Sequence, residues 1–74
     1  MKFIRVIDPK YPDTYINIET ITHIEPIREG VSKIYCNMKI NHYLLVPQNV
    51  LMDYLTSNGD AILLEAESTY DYIG

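Results

Sequence analysis

Cys36 and His42 are the side chains most able to start chemistry in this chain, standing close in sequence on either side of a turn-like stretch. A thiol becomes a nucleophile when a base lies within hydrogen-bond reach. A working site also needs a group to orient the base and donors for the developing oxyanion, and no third residue or glycine-rich nest supplies either. A lone cysteine is ordinarily a small core residue. His23 and Cys36 as metal ligands would need two more partners, and Glu25 falls on the opposite strand face from Cys36 in the pairing derived below. Glu19, Glu25 and Glu29 are spread over strand and turn, where separated carboxylates are ordinary solvated charges. The residues therefore predict no enzyme, no metal, no cofactor and no small-molecule substrate.

What remains is binding, and the balance of charge bounds it. Ten acidic against six basic residues give a net charge of −4, the wrong sign for affinity drawn from phosphates, so nucleic acid is a disfavoured partner. One cysteine excludes an internal disulfide and points to a reducing, cytoplasmic setting. The opening residues MKFIRVIDPK alternate charged with apolar side chains where a signal peptide needs an unbroken apolar run, and no later stretch is long enough to span a bilayer. With 74 residues, 47% of them apolar and seven of them tyrosine, the chain has material for one core only. The entropy of ordering so short a chain nearly cancels its burial gain, which favours extra burial by self-association.

The elements that would position a binding surface follow from local pattern. Lys2 to Asp8 reads as a first strand ending in the turn-rich Pro9-Lys10-Tyr11-Pro12-Asp13. A second strand comes in two pieces, Thr14 to Ile18 and Thr22 to Ile27, with a kink at Glu19-Thr20. Arg28-Glu29-Gly30 closes a hairpin onto a third strand, Val31 to Asn37, with glycine supplying the left-handed residue. Pairing Ile27 with Val31 then sets Ile24 opposite Ile34 and Glu25 opposite Lys33, an apolar pair and an opposite-charge pair on opposite faces. A loop from Asn37 to Asn41 leads to a fourth strand, His42 to Val46, with Ile34 opposite Leu44 and Tyr35 opposite Tyr43. Pro47 suits the first position of a helix running to about Ser57, whose stripe is Val50, Leu51, Tyr54 and Leu55 and whose cap is Asn58-Gly59. Ala61 to Glu67 reads as a last strand at a sheet edge or a barrel closure.

These elements predict an α+β fold: a small antiparallel meander of four to five strands, open or curled into a partial barrel, with one helix packed on one face. Residues 1–67 form the domain and 68–74 a loose acidic tail. Thr22, Ile24, Pro26, Ser32, Ile34, Cys36, His42, Leu44 and Val46 share the helix-facing side. The other side carries His23, Glu25, Ile27, Val31, Lys33, Tyr35, Tyr43 and Leu45, too aromatic and apolar to face water alone. His23, Ile27, Tyr35, Tyr43 and Leu45 are thus the candidate interaction surface. Its cover is a second copy of the chain, another protein, or the chain itself, with the last strand or the Tyr70–Tyr72 tail folding over it or the sheet curling into a small barrel.

Three stretches carry a family resemblance: Tyr15-Ile16-Asn17-Ile18-Glu19-Thr20-Ile21-Thr22-His23-Ile24-Glu25, then Lys33-Ile34-Tyr35-Cys36-Asn37, then Tyr43-Leu44-Leu45-Val46-Pro47-Gln48-Asn49-Val50. Together they resemble the small FlbD-like proteins associated with flagellar operons, and the strand layout is also similar to LytTR-type DNA-binding domains. The chain departs from both, with Asn37-Met38-Lys39-Ile40-Asn41 in place of an Asn-Gly turn, a strand after the helix, and few basic residues. The resemblance implies a small non-catalytic β domain and assigns no binding residue. The expected function is a protein-interaction or assembly module, homodimeric through its sheet. The alternative is a nucleic-acid-associated regulatory domain in which Arg28, Lys33 and Lys39 touch phosphates.

Overall fold

Ile4 and Val6 are buried between the half-buried Phe3, Arg5 and Ile7, the period-two signature of a strand with one face in a core. In the computed structural model, which describes residues 1–37 and 41–69, Phe3–Ile7 is strand β1, the centre of a three-stranded sheet. Strand β2, Thr14–Asn17, pairs with it antiparallel and sets Ile16 opposite Ile4. The turn between them is held by the Asp8 carboxylate, which accepts the backbone N–H groups of Lys10 and Tyr11 at 2.7 and 3.1 Å.

A short 3-10 turn, Ile18–Thr20, ends β2. The Asn17 side chain accepts the Glu19 N–H at 3.0 Å, and the Thr20 hydroxyl donates to the Asn17 carbonyl at 2.7 Å. Side-chain bonds of this kind offer the backbone an alternative to the ladder. The chain leaves the first sheet here and enters a second, an antiparallel meander of β3 (Ile21–Arg28), β4 (Val31–Cys36) and β5 (Asn41–Leu44). Helix α1, Gln48–Thr56, follows, and β6, Leu63–Glu67, returns to lie parallel beside β1 with Ala66 next to Val6. The fold is α+β, with six strands in two open sheets and one helix among the described residues.

Ile4, Val6, Ile16 and Ala66 from the first sheet, Ile34 and Leu44 from the second, Val46, and Leu51 and Tyr54 from α1 form one buried cluster. The Tyr54 hydroxyl donates to the Phe3 carbonyl at 2.9 Å, so burial of the ring leaves no polar tip unpaired. Burial pushes the phenol pKa of Tyr54 up, against that backbone bond. The Lys2 ammonium donates to the carbonyls of Tyr54 and Ser57, a cation at the negative end of the helix. Buried Ser32 donates to the Val46 carbonyl at 2.8 Å, tying β4 to the segment that leads into α1.

The sheets meet at two seams. Leu45 N–H bonds the Glu67 carbonyl at 2.7 Å and Thr69 N–H bonds the Tyr43 carbonyl at 2.9 Å, continuing β6 along β5. On the other side the 3-10 turn itself is the link, with Ile18 N–H on the Lys2 carbonyl at 3.1 Å at the end of the β1–β2 ladder and Asn37 N–H on the Thr20 carbonyl at 2.8 Å at the end of the β3–β4 ladder. Ser68 and Thr69, read from sequence as the start of a loose tail, are thus tied by backbone bonds.

Several expectations are corrected in detail. The two pieces of the second strand belong to different sheets, and the last strand begins at Leu63 and pairs in parallel with the first. The hairpin pairs Ile24 with Ile34 and Glu25 with Lys33 as expected, but a bulge at Ile27 sets Arg28, not Ile27, opposite Val31. Val31 is 3% exposed, so it is no part of an open face. Pro26 and Thr22, expected on the core side, are exposed, Thr22 at a second irregularity. Between β4 and β5 the register slips by two residues, with Ser32 opposite Leu44 and Lys33 opposite Tyr43; a shift of two keeps every side chain on its face. Val50 is 43% exposed and outside the helix stripe. The helix ends at Thr56 with Ser57 in extended conformation, and among the described glycines Gly30 alone has a positive φ, 78°, so Gly59 makes no left-handed cap.

Candidate interaction surfaces around strand β3

On β4, Lys33 and Tyr35 point away from Ser32 and Ile34, which are fully buried, so the outward face of the meander is fixed by alternation. The register brings His23 opposite Tyr35, Glu25 opposite Lys33 on one side and Tyr43 opposite Lys33 on the other. The His23 ring meets Tyr35 edge to face, centroids 5.7 Å apart and planes at 74°. The Tyr35 hydroxyl donates to the Glu25 carboxylate at 3.3 Å.

The Lys33 ammonium lies 4.6 Å from the Tyr35 ring centroid and 5.0 Å from that of Tyr43, a cation held against two aromatic rings. Hydrogen bonding to Tyr43, then to Tyr35, holds its pKa well above the ordinary lysine value, so the cation persists throughout the physiological pH range. His23, Glu25, Lys33, Tyr35 and Tyr43 form one connected patch.

Of the expected interaction residues, the structure brings His23, Tyr35 and Tyr43 together. Leu45 is 47% exposed, one residue past β5, and Ile27 is half-buried in the bulge near the hairpin. Of the basic residues weighed for phosphates, Lys33 sits between the tyrosines, Arg28 is at the end of β3, and Lys39 lies outside the described residues. The helix packs on the opposite side of this sheet, and β6 belongs to the other sheet, so neither covers the patch. The Tyr70–Tyr72 segment is outside the described residues.

His42 stands on the inward side of β5, opposite Ile34, and burial pushes its pKa below the ordinary histidine value. The thiol of Cys36 is half-buried on the same side of the sheet, packed against the core cluster as a small apolar group.

A second feature escapes the sequence pattern. A groove of about 590 Å³ runs between the 3-10 turn and β3 on one side and α1 on the other, with Ile18, Ile21 and Ile24 facing Met52 and Leu55. His23 belongs both to the groove lining and to the aromatic patch, so the two surfaces adjoin. The signal available was the spacing of Ile18, Ile21 and Ile24 by threes. A turn and a strand irregularity at Thr22 bring those positions to one side, which neither pure period predicts.

No protein-family model matches the chain, and no curated protein or solved structure matches it either. Among the described residues no helix is long and apolar enough to cross a membrane.

Proposed function

We propose that the chain is a non-catalytic interaction module that pairs with a second copy of itself through the outward face of the β3–β5 sheet. The observation that carries this reading is the patch in which His23, Tyr35 and Tyr43 are held by mutual contacts around Lys33. Aromatic rings fixed before binding lose little side-chain entropy on docking, which is why such residues dominate interface energetics. The patch carries one cation, Lys33, and one carboxylate, Glu25, so a two-fold axis can set unlike charges of the two copies against each other.

A small core that gains from added burial, a single thiol suited to reducing cytoplasm, and the likeness to FlbD-like domains support the same reading. The nucleic-acid alternative rests on Arg28, Lys33 and Lys39 and is weakened by the engagement of Lys33 with the two tyrosines. Light scattering on a sizing column is expected to give twice the chain mass, with Tyr43→Glu returning the single-chain mass and an unchanged circular dichroism spectrum. A single-chain mass for the unaltered protein at every accessible concentration overturns the proposal.

A further inference from the structure

Strand β3 is the edge of its sheet and borders the groove against α1. An open edge ordinarily invites another strand, but here Pro26 and the irregularities at Thr22 and Ile27 interrupt it, the devices by which edges are blunted. The groove beside it opens widely to solvent, whereas a small-molecule site buries most of its ligand's surface. Its walls, Ile18, Ile21 and Ile24 against Met52 and Leu55, suit the apolar stripe of an amphipathic helix.

Charge selects the partner further. Glu19 stands exposed in the groove lining, and among the described residues its carboxylate makes no ion pair and no lysine or arginine lines the walls. Three cations of the fold are occupied elsewhere: Lys2 on the helix end, Lys33 between tyrosines, Arg5 between Asp13 and Glu65. The chain as a whole carries −4.

The geometry points to this groove as the docking site for an amphipathic helical segment of another protein, with apolar anchors one turn apart and a lysine or arginine set beside them to meet Glu19. The site adjoins the aromatic patch at His23 but does not require the dimer.

Isotope-labelled full-length chain is titrated with two short synthetic helical peptides that share a leucine stripe, one with lysines and one with glutamates on the remaining positions. The expected result is saturable amide shifts centred on Ile18, Glu19, Ile21, Ile24, Met52 and Leu55, with the lysine peptide roughly fivefold the tighter, the scale of one exposed ion pair. Glu19→Lys should reverse the preference. Met52→Glu, at a side chain already 40% exposed, should abolish saturation while leaving the folded spectrum intact. Absence of saturable binding, equal affinity for both peptides, or shifts spread over the acidic surface overturns the inference. So does movement of the same amides on dilution of the Tyr43→Glu chain alone, which would mark a second copy as the occupant. Repeating the titration on the Tyr43→Glu chain separates the two proposals, since groove binding must survive loss of the dimer.

Discussion

His42 illustrates how one residue ties the burial pattern to solution behaviour. Its side chain is on the inward side of β5, and burial lowers its pKa below the unfolded value of about 6.5. Between the two values the unfolded chain binds more protons than the folded one, so stability rises with pH there and is lost as pH falls from about 6.5 toward the lower folded pKa. The midpoint of urea unfolding should therefore drop on acidification through that window, and His42→Gln should flatten the dependence. Parallel pH profiles for the two chains would refute this role. At the same scale, the sequence pattern placed Glu25 opposite Lys33, and the backbone agrees. It could not show that the Lys33 ammonium leaves its cross-strand carboxylate for the Tyr35 and Tyr43 rings, since the β4–β5 register that sets Tyr43 opposite Lys33 is not fixed by the pattern.

The hairpin joining β3 to β4 shows what an element reveals and withholds. Gly30 sits at φ 78°, and a Cβ built there meets nothing within 4 Å, so any cost of a side chain is that of the backbone conformation alone. Gly30→Ala should lower unfolding free energy by about 1 kcal/mol, and Gly30→Asn by less, because asparagine tolerates the left-handed region better. Equal stability of all three chains in urea unfolding would show that the turn rearranges. The need for this glycine, the β3–β4 pairing and the apolar stripe of α1 at Leu51 and Tyr54 are all local and were legible. The β4–β5 offset was not, because period-two patterning is blind to a slip of two residues. Nor was the assignment of the two pieces of the second strand to different sheets, at a turn where Asn17 and Thr20 bond neighbouring backbone groups, or the groove that this turn helps to build.

At the scale of the whole molecule the decisive feature is the parallel pairing of β6 with β1, which joins the two ends of the described chain across everything between them. Contacts so distant in sequence leave no local trace, and the closing strand reads only as a generic edge. The two residues after it then do the joining. Ser68 N–H bonds the Ile7 carbonyl at 3.0 Å, the Ser68 hydroxyl donates to the Asp8 carboxylate at 3.0 Å, and Thr69 N–H bonds the Tyr43 carbonyl at 2.9 Å. One residue thus faces β1 and the next faces β5, so the pair stitches both sheets around the shared core of Ile4, Val6, Ile34 and Leu44. A chain ending at Glu67 loses these three bonds, while one ending at Thr69 keeps them. The shorter chain should be less stable by about 3 kcal/mol at net values near 0.5–1.5 kcal/mol per bond. For a fold this small that is a large share of the total, so the difference should appear as an earlier urea midpoint and faster amide exchange in β5 and β6 together. Matching midpoints for the two truncations would mean that the sheets are held by the core alone and that the seam contributes nothing.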